Sequence, residues 1–229
     1  MEAIVLAGGL GTRLRSVVSD LPKPMAPVEG KPFLEYIFRY LKKNGIDRIV
    51  LSVGYKWESI RDYFGEEYEG MALIYSVENE PLGTGGAIKK AMDSVKSENV
   101  FIINGDTFFD VPLQTLNDQL SPDSKLLLSL KRMHNFNRYG CVESESAGKV
   151  TAFTEKGYRE SGDINGGIYL ASADLFDDYD LEENFSFEAF MEEHFSMLGV
   201  RAKIFDGYFI DIGIPEDYSR AQNELREHV

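Results

Sequence analysis

The run Ala3-Ile4-Val5-Leu6-Ala7-Gly8-Gly9-Leu10-Gly11-Thr12-Arg13-Leu14 decides the fold. Its apolar opening, with β-branched Ile4 and Val5 in the middle, reads as a buried strand. The glycines that follow let backbone N–H groups approach a phosphate closely, and Arg13 adds charge where that phosphate would sit. A strand running into such a loop suits a nucleotide, provided helices and further strands alternate downstream.

Downstream they do alternate. Phe33, Leu34, Ile37, Phe38 and Leu41 recur at helical spacing, and Asn44-Gly45 follows where a helix would stop. Strands are expected over Arg48 to Val53, Leu73 to Ser76 and Val100 to Ile103, with a helix from about Gly86 to Ser94. The second half is less regular: Lys125 to Leu130, Val150 to Phe153 and Ile164 to Leu170 read as strands of a mixed sheet. Ser186 can cap a helix through Phe195, and Pro215 can open a last helix to about Glu227.

The 229 residues suffice for one large domain with a real core, since 43% of them are hydrophobic and 27% charged. A net charge of −14 is the wrong sign for gripping a nucleic-acid backbone, so no nucleic-acid partner is expected. One cysteine, Cys141, forms no internal disulfide and fits a reducing cytoplasm. His134, His194 and His228 are too scattered for a zinc site. No apolar run reaches the length of a membrane span, and no leader is expected at Met1.

Between the first strand and the first helix lie about 26 residues, Ala7 to Pro32, far more than an ordinary βα connection. A plain turn with solvated cations is the competing explanation of its glycines, Arg13 and Lys23. Gly9-Leu10-Gly11-Thr12-Arg13-Leu14 puts Leu where a dinucleotide fingerprint needs its third small residue, which disfavours an oxidoreductase; the Gly-Lys-Ser/Thr of a P-loop is absent.

Taken with Leu21-Pro22-Lys23-Pro24-Met25, Glu78-Asn79-Glu80-Pro81-Leu82-Gly83-Thr84-Gly85-Gly86-Ala87, Asn104-Gly105-Asp106, Tyr139-Gly140, Glu155-Lys156, Asn165-Gly166-Gly167-Ile168-Tyr169 and Asp211-Ile212-Gly213, the opening run strongly resembles the sugar-1-phosphate nucleotidyltransferases, in order and over nearly the whole chain. The resemblance implies an α/β, Rossmann-like single domain over 1–229, with a mixed, mostly parallel central sheet flanked by helices. Its nucleotide-binding part would span about 1–110 and its sugar-phosphate part about 111–229.

It also implies roles. Leu6, Gly8, Gly9, Gly11, Thr12, Arg13, Lys23, Glu78, Gly83, Thr84 and Asp106 would hold the nucleotide, with Arg13, Lys23 and Asp106 carrying the chemistry. A fixed cation at the α-phosphorus is stronger in the transition state than in the ground state. Asp106 and Asp211 each follow a short apolar run, so two strands side by side in one sheet would bring their carboxylates to one edge, where they can hold Mg²⁺. Tyr139, Gly140, Glu155, Lys156, Asn165 and Gly166 would form the sugar-phosphate site, although Gly157 stands where the family usually has proline.

Glu78 occupies the base-contact position where many thymidylyl and uridylyl relatives have Gln. A carboxylate is acceptor-only, and guanine presents two adjacent donors, so GTP is the expected nucleotide. The strings around Lys23, Pro81 and Phe205 to Gly213 resemble enzymes that use D-glycero-α-D-manno-heptose 1-phosphate to make GDP-heptose for bacterial surface polysaccharides. Mannose 1-phosphate, a uridylyl or thymidylyl transfer, and a non-catalytic nucleotide-sugar-binding regulator remain as alternatives, and association into a homo-oligomer is left open.

Overall fold

β1 (Glu2–Leu6) lies at the centre of the molecule because three of its residues, Ala3, Ile4 and Val5, have no contact with solvent at all. The computed structural model describes residues 1–9, 21–121 and 123–228. In chain order it continues with β2 (Pro27–Val28), β3 (Lys31–Pro32), α1 (Phe33–Lys43), β4 (Arg48–Val53), α2 (Trp57–Phe64), β5 (Glu67–Tyr68) and β6 (Met71–Val77). Next come α3 (Gly83–Met92), β7 (Asn99–Asn104), β8 (Thr107–Phe109), α4 (Leu113–Asn117), β9 (Leu126–Phe136), β10 (Val142–Ser144) and β11 (Val150–Phe153). The chain closes with β12 (Arg159–Ser172), α5 (Phe187–His194), β13 (Arg201–Phe205), β14 (Phe209–Asp211) and α6 (Pro215–Glu224).

Eight strands form one sheet in the order β13-β9-β12-β7-β1-β4-β6-β5. β1 pairs in parallel with β4 and β7, and β4 with β6, whereas β12 runs antiparallel to both β7 and β9. Only β12 and β5 oppose the common direction, so the sheet is mixed and mostly parallel, as expected. Both faces are covered. Ala3, Val5, Ile49, Leu51, Phe101 and Ile103 face α1 and α6, while Ile4, Val50, Val100 and Ile102 face α3 and α5. Strands buried on two faces read as continuous apolar runs, which is why β1, β4 and β7 were plain in the sequence.

Several elements depart from expectation. α3 starts at Gly83 rather than Gly86. β9 and β12 run on to Phe136 and back from Arg159 as a half-exposed ribbon whose polar residues hide its strand character. Within the strand expected over Ile164 to Leu170, the Asn165-Gly166-Gly167 segment carries a register shift against β9. β14 does not join the main sheet. It pairs antiparallel with β8, a strand too short to stand out. Pro215 opens α6 as expected, but the α-helix ends at Glu224 and a 3₁₀ turn, Leu225–His228, completes it. Among the described residues no helix is long and apolar enough to cross a membrane.

Candidate active site

The strand order reverses at β1: β4 and β6 lie to one side, β7 to the other. In an open α/β sheet the crevice outside the carboxyl ends at such a point is where ligands bind. Here Leu6 at the end of β1 is in register with Asn104 at the end of β7, and the Gly105 N–H donates to the Leu6 carbonyl at 2.9 Å. A cleft of about 880 Å³ opens over this seam. Leu6, Gly8, Gly9, Lys23, Glu78, Gly83, Thr84 and Asp106 all line it. Gly11, Thr12 and Arg13 lie outside the described residues.

At one end of the cleft, β6 delivers Glu78 beside the end of β1. Its Oε1 accepts from the Ser52 hydroxyl at 3.2 Å and its Oε2 from the Leu82 N–H at 3.2 Å. A Cβ on Gly8 would stand 2.6 Å from Oε1, so only glycine there lets the carboxylate sit over the β1 turn. Two lone-pair directions remain for a ligand.

At the other end, Pro22 and Pro24 hold a 3₁₀ turn (Lys23–Met25) that points Lys23 inward; its side chain is 12% exposed. The Lys23 ammonium donates to Asp106 Oδ2 at 2.5 Å and stands 3.8 Å from Asp211 Oδ1. The two carboxylates thus meet around one cation, although not by the expected route. The β8–β14 ribbon sets Asp211 opposite Thr107, next to Asp106, and the Ile212 N–H donates to the Asp106 carbonyl at 3.0 Å.

Asp211 has further partners: the Tyr139 hydroxyl donates to Oδ2 at 3.2 Å, and the Gly213 N–H to Oδ1 at 2.7 Å. Burial, then the Asp211 charge, pushes the Tyr139 phenol well above its usual range, so it remains a donor. Gly140 packs so closely on the segment just after β11 that a Cβ would lie 2.2 Å from the Thr154 carbonyl, which puts Glu155 beside Tyr139-Gly140. Among the described residues Glu155 and Lys156 are exposed and neither side chain has a hydrogen-bond or ion-pair partner.

Asn165 and Thr84 have their polar atoms occupied within the protein. Asn165 Nδ2 donates to the Tyr169 hydroxyl at 2.7 Å, and its Oδ1 accepts from the Gly167 N–H at 3.0 Å. Gly166 lies against the Phe109 ring and Gly167 against the Asn104 amide, so this bulge supports the end of β7. Burial raises the Tyr169 phenol far above its usual range. The Thr84 hydroxyl donates to Glu188 at 2.7 Å and accepts from the Phe187 N–H at 2.8 Å, clasping α3 to α5.

Two residues escaped the sequence reading. Glu188 lines the cleft from the first turn of α5, and its only sequence signal is its place two residues after the cap Ser186. Arg138 joins Asp211 to Asp217; it directly precedes Tyr139-Gly140, which was the available clue. Among the described residues no three acidic, His or Cys side chains converge as a ready metal cage. The pair Asp106 and Asp211, with an ammonium between them, is a hard-oxygen donor set that fits a cation sharing its shell with substrate phosphates.

The nucleotidyl transferase family model matches residues 2–228. The chain is 54% identical over 218 residues to a D-glycero-α-D-manno-heptose 1-phosphate guanylyltransferase of Campylobacter jejuni, covering 95% of this chain and 97% of that protein. It is 54% identical over 231 residues to the enzyme of the same name from Aneurinibacillus thermoaerophilus, across the full length of both. The crystal structure of HddC from Yersinia pseudotuberculosis complexed with GMP-PN superposes with a TM-score of 0.85 at 38% identity, covering 98% of this chain and 99% of that one. The chain belongs to the nucleotidyl transferase family.

Proposed function

We propose that the protein is a D-glycero-α-D-manno-heptose 1-phosphate guanylyltransferase, converting GTP and the heptose 1-phosphate into GDP-heptose and pyrophosphate. The names carried by its 54% identical relatives support this substrate pair. The observation that carries it is the two-ended cleft, with an acceptor-only carboxylate, Glu78, at one end and Lys23 between Asp106 and Asp211 at the other. A sugar phosphate oxygen attacks the α-phosphorus of GTP in line, a bond to that phosphorus forms, and pyrophosphate leaves with the bonding electron pair.

Glu78 accepts from guanine N1–H and the exocyclic amine. Lys23 exchanges Asp106 for the α-phosphate and stabilises the charge that grows there. Asp106 and Asp211 hold Mg²⁺, which supplies Lewis-acid charge neutralisation when bound. Glu155 takes sugar hydroxyls and Lys156 the sugar phosphate, beside Tyr139, Gly140 and the Asn165-Gly166 bulge. Arg13 meets the β- and γ-phosphates. The cytoplasm, where GTP is supplied, is the expected compartment.

The test is pyrophosphate release from GTP, UTP or dTTP with Mg²⁺ and a panel of sugar 1-phosphates. GTP with D-glycero-α-D-manno-heptose 1-phosphate should exceed every other pair. Preference for mannose 1-phosphate would overturn the sugar assignment, and preference for UTP or dTTP the base assignment.

A further inference from the structure

Arg138, in the bend after β9, reaches from the sugar-phosphate side of the site to the first turn of α6. Its Nη1 donates to Asp217 Oδ2, and its Nη2 donates to Asp211 Oδ2 at 3.3 Å. The guanidinium lies 5.2 Å from the centre of the Tyr139 ring, whose hydroxyl donates to that same Asp211 oxygen at 3.2 Å. Oδ2 of Asp211 is therefore taken by two donors, and Oδ1, which accepts from the Gly213 N–H at 2.7 Å, is the oxygen turned to Lys23.

Asp217 is itself braced. Its other oxygen accepts from Arg220 Nη1 at 3.1 Å, Arg220 Nη2 donates to Glu224 at 3.0 Å, and the Tyr208 hydroxyl donates to Glu224 at 3.0 Å. Asp217 also sits in the first turn of its helix, where negative charge is favoured. The brace is thus a charge ladder along α6 that ends at Asp211. A planar guanidinium can span two carboxylates through two different nitrogens, which a lysine ammonium cannot reproduce.

We propose that Arg138 is a positioning residue that, braced on Asp217, holds Asp211 in a pose offering a single oxygen to the cation it shares with Asp106. This rests on the assignment of that cation to Asp106 and Asp211. Partners that orient a metal ligand typically contribute about 10- to 100-fold in metal affinity.

Mn²⁺ is the probe: free Mn²⁺ is followed by electron paramagnetic resonance during titration of the full-length protein with a non-hydrolysable GTP analogue. Arg138→Gln should weaken Mn²⁺ binding about tenfold or more and lower kcat, with KM for the sugar 1-phosphate little changed. Arg138→Lys, which keeps the charge, should recover part of the loss, and Asp217→Asn should weaken Mn²⁺ binding in the same direction. Wild-type Mn²⁺ affinity in folded Arg138→Gln would overturn the proposal, as would a rise in KM alone, which would make Arg138 a substrate contact. Unchanged Mn²⁺ affinity in Asp211→Asn would instead overturn the metal assignment beneath it.

Discussion

Glu78→Gln separates the purine reading of the cleft from a merely structural role for this carboxylate. In the native site each oxygen already holds one protein donor, the Ser52 hydroxyl and the Leu82 N–H, both at 3.2 Å. Glutamine can satisfy both: its carbonyl accepts from Leu82, and its amide donates to Ser52, whose hydroxyl rotates to accept. The fold should therefore survive. Guanine fares worse, because one of its donors then faces an amide N–H instead of an anionic oxygen. Losing one charge-assisted hydrogen bond and adding a donor–donor conflict costs about 2–4 kcal/mol, roughly 30- to 900-fold in kcat/KM for GTP. UTP, with one ring N–H between two acceptors, should lose little or gain. Gly8→Ala is an independent perturbation, since its Cβ would stand 2.6 Å from Glu78 Oε1 and displace it. Competing GTP against UTP in both variants reads the effect. An unchanged GTP:UTP ratio in Glu78→Gln at the wild-type melting temperature would refute base readout by this residue.

Asp106→Asn and Asp211→Asn should each lower turnover by about 10²-fold or more, flatten the dependence on Mg²⁺ and leave the melting temperature near wild type; full wild-type activity in excess chelator would remove the metal site. Glu155→Ala should blunt selection among sugars, whereas Lys156→Ala should raise KM for every sugar phosphate about 10- to 100-fold through loss of a charge-assisted bond; equal losses across all sugars in both variants would erase the division of roles. Glu2 supplies a pH test of stability. Burial pushes its carboxyl up, but bonds from Ser97, the Lys96 and Ser97 N–H groups and Arg48 outweigh this and bring it from 4.5 to about 2. A depressed carboxyl stabilises fully above its unfolded value and loses that contribution as pH falls through about 2. Glu2→Gln should therefore unfold more easily in urea near neutrality, by on the order of 3 kcal/mol, and approach wild type toward pH 2; a gap that does not narrow on acidification counts against it.

The parallel core was legible because β1, β4 and β7 are buried on both faces and carry apolar runs of three or more residues. β8 and β14, three residues each, carry no such signal, yet their pairing decides how Asp211 meets Asp106. The sequence pointed to two carboxylates that do meet, but for a geometric reason that differs from the real one. Thr84 illustrates a further limit: its position in the cleft was readable, but not that Glu188 and the Phe187 N–H already use its hydroxyl, since both partners lie more than one hundred residues away. Arg138 was hidden for the same reason, because nothing local distinguishes an arginine that will bridge two distant aspartates from one that stays in water.

How the two parts of the site are held in step follows from β12. Against β9, Asn165 pairs with Leu130 and Tyr169 with Leu128, and the register shifts between these two pairings, while Ile168 pairs with Ile103 of β7 on the other side. A strand slipped by one residue would turn every side chain to the opposite face, so the shift must be fixed by specific contacts. Asn165 supplies them, closing the bulge on Gly167 N–H and bonding the fully buried Tyr169, while Gly167 packs against the Asn104 amide at the end of β7. The same strand then continues outward to Arg159, beside the segment that carries Glu155 and Lys156. This bulge thereby keys β12, and the residues proposed to bind the sugar phosphate beyond it, to the strand end that precedes Asp106. Because the Tyr169 hydroxyl is enclosed, loss of its Asn165 partner leaves an unpaired polar group in the core and costs more than the bond itself contributes. The proposed in-line displacement needs the attacking and leaving oxygens aligned to within fractions of an ångström, and this bulge ties the elements proposed to bind them to one sheet register.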